Sequence, residues 1–155
     1  MTLNEDRIIY RHTNLVARDW RLLADFYVRV FGCQPVFPER NLAGDWLDGA
    51  TGLTNAHIRG IHLMLPGYGE DGPTLEIFQY DANISRTQPV MANREGIGHI
   101  AFSVRSVANM LVRVKEHGGD SLGDVVQTEV VGVGTLVMVY ALDPEGNIIE
   151  LQSWI

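Results

Sequence analysis

Cysteine is nearly absent. Cys33 is the only one, so no disulfide can form within the chain and a cytoplasmic setting is the default expectation. Cys33 reads either as a small buried hydrophobe or as a reactive thiol. No apolar run approaches the ~20 residues of a spanning helix, so no membrane partner is expected. Positive charge is scarce, with 12 Lys and Arg against 19 Asp and Glu and a net charge of −7. That balance argues against a nucleic-acid or anionic-membrane surface. The first residues are polar and acidic, so no secretory signal is expected there. What remains is an ordinary globular composition, in a length of 155 residues that suits one domain or two small halves sharing a core.

Residues 8–16 are rich in branched side chains and predict a strand. Asp19 can cap a helix, and Leu22, Leu23, Phe26, Tyr27, Val30 and Phe31 recur at helical spacing over about 20–31, with Gly32 where a C-terminal cap belongs. A short strand over 33–37 follows, and its Pro35 suggests an edge or a strand start. Residues 38–54 fit no simple period and read as an irregular loop with room for a helical turn. Strands are expected over 55–65 and 72–80, separated by the Pro66-Gly67-Tyr68-Gly69 turn cluster. After a polar connection over about 81–95 the pattern restarts. A strand spans 96–105, Ser106 caps a helix ending at Gly118-Gly119, a weak strand surrounds Val125-Val126, and strands cover 134–142 and 146–152.

The order is therefore βαβββ twice, an α+β chain of two modules over about 8–80 and 96–154 joined by the linker in one domain of 1–155. Each module opens on a strand with a histidine, His12 or His99, and closes on a strand reading apolar-Glu-apolar, Glu76 or Glu150. The His-to-Glu interval is longer in the first module, and the surplus falls in the irregular 38–54 stretch. Side chains on a strand alternate faces, so all four residues can point into one cavity if the concave faces of the two sheets converge. A carboxylate buried in an apolar strand needs a cation, a donor or a metal. Two imidazoles and two carboxylates suit one borderline divalent ion: Zn, Ni, Co, Mn or Fe(II). Water or substrate can fill its remaining positions. Of the other histidines, His57 and His62 lie on opposite faces of one strand, so at most one approaches the cavity. His117, at a helix C-terminus, reads as structural.

The stretches His12-Thr13-Asn14-Leu15-Val16, Leu75-Glu76-Ile77, Gly98-His99-Ile100-Ala101-Phe102 and Asp143-Pro144-Glu145-Gly146-Asn147-Ile148-Ile149-Glu150-Leu151 resemble the vicinal oxygen chelate superfamily of glyoxalases, bleomycin-resistance proteins and dioxygenases. The resemblance covers nearly the whole chain. It implies two paired βαβββ modules forming an incomplete barrel around a metal held by His12, Glu76, His99 and Glu150. Ring-cleaving dioxygenases of this superfamily commonly use two His and one Glu. The carboxylate at Glu76 looks more like glyoxalase I and the isomerising members, which move a proton between adjacent carbons through an enediolate or enolate.

The expected function is accordingly a metal-dependent isomerase or lyase acting on a small molecule, with Glu76 or Glu150 as the base. Glyoxalase I typically has Arg and Asn four residues after the first and second ligands. Val16 and Tyr80 stand there, so a glutathione-linked substrate is not expected. Phe78, Tyr80 and Trp46 line a pocket for a less polar substrate or belong to the core. The alternatives are an Fe(II)-dependent ring-cleaving dioxygenase and a non-catalytic drug-binding protein. The resemblance also implies a homodimer.

Overall fold

The computed structural model describes residues 7–155. Residues 1–6, and with them most of the stretch in which no secretory signal is expected, lie outside the described residues. The chain is a mixed α+β protein with two sheets. In order it forms β1 (His12–Val16), α1 (Trp20–Phe31), β2 (Gln34–Ala43), α2 (Asp45–Thr51), β3 (His57–Met64), β4 (Thr74–Tyr80), β5 (Ile100–Ser103), α3 (Val107–Glu116), β6 (Asp120–Ser121), β7 (Val126–Val130), β8 (Gly134–Leu142) and β9 (Ile148–Trp154). Two compact units form. One holds the residues through Ala24 with Phe31–Asn83, and the other Asp25–Val30 with Ile84–Ile155.

In unit one the strand order is β1-β4-β3-β2, with β1 parallel to β4 and the other pairs antiparallel. In unit two it is β5-β9-β8-β6, with β5 parallel to β9 and β7 also paired to β8. The βαβββ repeat is thus present in both, with the weak second strand of unit two divided between β6 and β7.

The helix signals are physical caps. Asp19 Oδ1 accepts the backbone N–H groups of Arg21 and Leu22, each at 3.1 Å, and Gly32 adopts the left-handed φ of 71° that ends α1. Ser106 Oγ accepts from the Asn109 N–H at 3.2 Å and starts α3. Strand starts differ more. β1 begins at His12 rather than residue 8, because its partner β4 begins opposite it at Thr74 and Pro73 before that has no N–H to continue a ladder.

In the 38–54 stretch the helical turn is present as α2, but residues 38–43 are strand where a loop was expected. β2 runs on through Pro38 to Ala43, with its register shifted between Val36 and Arg40, and α2 follows. Proline is tolerated there because β2 is an edge strand. The Asp48 carboxylate then ties α2 back to the chain by accepting from Asn55 N–H and Ala56 N–H, both at 2.8 Å.

Alternation divides the first sheet into two faces. Ile61, Leu63, Leu75 and Ile77 are buried on one. On the other, Ile58 and Phe78 are buried with Leu47 of α2 and Ala56, and Leu42 and Tyr80 pack against them. In unit two, β8 and β9 bury Val139, Ala141, Ile149 and Leu151, and α3 buries Val107 and Val114. Cys33 is 1% exposed and burial pushes its thiol up to about 11. It stays protonated at neutral pH and serves as core, not as a nucleophile.

The turn into β9 is fastened from within. Asp143 is 3% exposed. Its Oδ1 accepts from Glu145 N–H (2.9 Å) and Asn147 N–H (3.0 Å), and its Oδ2 from Asn147 Nδ2 (2.7 Å) and the Tyr27 hydroxyl (2.8 Å). Burial raises the Asp143 carboxyl, and these donors oppose the rise. Gly146, with φ of 83°, supplies the left-handed residue of the turn. Tyr27→Phe removes one buried donor from this carboxyl. It is expected to cost about 1–3 kcal/mol, read as a lower urea midpoint at unchanged slope.

Candidate metal centre

The register of the first sheet builds the site. Asn14 on β1, Glu76 on β4, His62 on β3 and Val36 on β2 are directly opposite one another across the sheet and share a face. His12 and Thr74 stand in the adjacent row of that face, two residues back along their strands. Glu76 Oε2 lies 2.8 Å from His62 Nε2 and 3.8 Å from His12 Nε2. The rings of His12 and His62 meet edge-on with centroids 5.4 Å apart. The candidate donor atoms of these three residues all lie within 4.8 Å of one another.

The donors fit a divalent cation. Bonds of ~2.0–2.2 Å to N and O ligands require donors no more than about 4.2 Å apart, which Glu76 Oε2 satisfies with both imidazoles. The outer atoms are held as metal ligands require. Thr74 Oγ1 lies 2.9 Å from His62 Nδ1, which directs Nε2 at Glu76, and Asn14 Nδ2 donates to Glu76 Oε1 at 2.8 Å, leaving Oε2 for the ion. Burial depresses the His62 imidazole, Arg40 and His12 push it the same way, and Glu76 opposes them. The neutral ring favoured by this balance is the form that binds metal. Glu76 is 9% exposed, so an unpartnered charge there would be costly.

Unit two carries the other expected pair. His99, just before β5, places Nε2 2.9 Å from Glu150 Oε2 on β9. In register, Glu150 is flanked by Ala101 and Tyr140 where Glu76 is flanked by Asn14 and His62. The repeat is thus unequal. Tyr140 takes the place of the second imidazole, and its ring lies 4.9 Å from that of His99. Among the described residues the group of three metal donors is His12, His62 and Glu76.

The structure therefore joins His12 to Glu76 and His99 to Glu150, each within its own unit, and adds His62 to the first pair. Strand alternation allowed His62 or His57 but did not choose. The signal that chooses is hairpin symmetry. His62 and Glu76 are equidistant from Gly69 in the turn joining β3 to β4, so they pair directly. His57 lies on the other face, between Asp81 and Asn41, each at 2.6 Å. His117 Nδ1 lies 2.9 Å from the Arg113 carbonyl oxygen at the end of α3 and takes no part in the site. Phe78 is core, and Trp46 is 60% exposed with its Nε1–H donated to the Ala43 carbonyl.

Two small sheets with this strand order and a His/Glu donor group define a class of small α+β proteins suited to a divalent ion. The model of the glyoxalase/bleomycin resistance protein/dioxygenase superfamily matches residues 9–151, and the chain belongs to that superfamily. Solved structures share the fold. A glyoxalase family protein from Bacillus cereus superposes with a TM-score of 0.76 at 20% identity, over 100% of this chain and 99% of that one. One from Enterococcus faecalis gives 0.56 at 20% identity over 98% and 99%. The genomically encoded fosfomycin resistance protein FosX from Listeria monocytogenes gives 0.58 at 16% identity over 97% and 95%. No curated protein matches the sequence.

Two variants test the centre. His62→Ala is expected to abolish zinc binding at this group. Thr74→Val, which leaves every ligand in place, is expected to weaken it by about 10–100-fold, both read by competitive chelator titration.

Proposed function

We propose that the chain is a metal-dependent isomerase or lyase of the glyoxalase type, moving a proton between carbons next to a carbonyl of a small molecule not linked to glutathione. The observation that carries this reading is the His12–His62–Glu76 group with Asn14 and Thr74 holding its outer atoms. A bound divalent ion supplies the positive charge that stabilises a developing oxyanion, worth several kcal/mol in the transition state. The chain supplies the base. Glu76 is tied by Asn14 and placed between two imidazoles, which suits a fixed ligand. Glu150, paired with His99, has the greater freedom to take a proton from one carbon and return it to the next. The working form in this reading is a cytoplasmic homodimer.

Two ligand sets compete within it. The family resemblance implies His12, Glu76, His99 and Glu150, whereas the three donors of unit one already make a binding group. Metal content separates them, because His99→Ala loses the ion only under the first.

The two-His, one-carboxylate composition of the unit-one group also supports a second reading. It is the donor set of Fe(II) oxygenases. Oxygen uptake with a catechol under Fe(II), without proton exchange, would favour that.

The decisive experiment is elemental analysis of the native protein, followed by proton exchange in deuterated water with α-oxo and α-hydroxy compounds. Under the unit-one ligand set Glu150→Gln is expected to keep the metal and lose about 10²–10⁴-fold in exchange rate, while Glu76→Gln loses the metal under either set. A purified protein without metal, whose melting is unchanged by a chelator, rejects the enzyme reading. Tight binding of a hydrophobic drug by that metal-free protein would favour a resistance-type binder.

A further inference from the structure

The site face of the first sheet carries one cation with no assigned task. Arg40 on β2 pairs with Gly60 on β3, which pairs with Phe78 on β4, so Arg40 stands one row beyond His62 and Glu76 on the same face. It is half-buried. Arg21, Arg29 and Arg59 pair with Glu39, Asp25 and Asp81, whereas among the described residues Arg40 pairs with no carboxylate and donates to the Pro38 carbonyl oxygen.

Gly60, next to Arg40 in that row, has no side chain, and the Phe78 ring fills the place one would take. A Cβ there would fall 2.6 Å from Phe78 Cδ1 and 2.0 Å from the Ile77 carbonyl oxygen, so the Phe78 ring lies against the bare backbone. Beyond that row Leu47 of α2 packs on Ile58 and Phe78 and occupies that end of the face. The same face thus carries the His12–Glu76–His62 group and, on its edge strand one row along, Arg40.

Resting on the glyoxalase-type reading, we propose that Arg40 is an anion subsite, and that the substrate carries a carboxylate separate from the oxygens it presents to the metal group. A guanidinium grips a carboxylate by two parallel N–H donors, which a point charge does not reproduce. Arg40 stands two residues along and one strand over from His62, about 8 Å between backbones, which a spacer of two or three carbons plus the arginine's own reach can span. The class is a short oxo or hydroxy acid with a second, distal carboxylate.

The test uses calorimetric titration of the cobalt-loaded protein with α-ketoglutarate and with α-ketovalerate, which lacks only the distal carboxylate. The wild type is expected to favour α-ketoglutarate by about tenfold or more, the worth of one charge-assisted pair. Arg40→Met is expected to erase that preference with cobalt content, Tm and α-ketovalerate affinity unchanged, and Arg40→Lys to keep part of it. Equal affinities in the wild type, or a preference that survives in Arg40→Met, overturn the inference and leave the metal reading standing. If the protein takes up no cobalt, the proposed function fails, and the subsite is judged by glutarate titrated into the metal-free protein. Binding lost in Arg40→Met then upholds it, and no difference between the two proteins overturns it.

Discussion

Glu76 is the constraint on which the first sheet turns. A carboxylate 9% exposed in an apolar strand has lost most of its water, and that loss must be offset by donors or a cation. The partners come from both neighbours in the ladder: Asn14 and His12 from β1, His62 from β3. A slip of one residue in either pairing would turn its partner to the opposite face. The same ladder that joins the strands therefore assembles the donor group. Gly60 belongs to this logic too, because its lack of a side chain admits the Phe78 ring, which packs edge-on against His62 with centroids 5.9 Å apart.

The second unit repeats the backbone plan and departs in side chains. Tyr140 for His62 and Ala101 for Asn14 leave Glu150 with one imidazole and without the amide that fixes its counterpart. The two glutamates thereby acquire different environments. Glu76 is bound from two neighbouring strands, and Glu150 is bound by His99 alone among the ion pairs of the described residues. The Asp143 turn sets β9 in place just before Glu150, using a hydroxyl from Tyr27 in an element far away in sequence.

Much of the fold was legible because its signals are local. The Asp19 and Ser106 caps and the glycine that ends α1 act within one turn of backbone, and they placed α1 and α3 closely. The irregular 38–54 stretch was not, since a strand with a proline and a shifted register loses the plain alternation that marks strands. The true start of β1 was hidden for a related reason: residues 8–11 have strand-like side chains, but a strand exists only where a partner's ladder reaches it.

The sequence alone singled out His12, Glu76, His99 and Glu150, by their places on the first and last strands of the repeat, while the pairing of His12 with Glu76 and of His99 with Glu150 came from the fold, where those strands are neighbours. The sequence also determined the family, through short motifs that need no partner to be read. Only the tertiary structure decided that His62 joins the first pair while His57 does not, that Tyr140 occupies the matching place in the second unit, and that Arg40 shares the face of the donor group. These are facts of register. Which residue lies opposite which is set by the turns, the bulge and the packing of whole strands, and no single strand carries it.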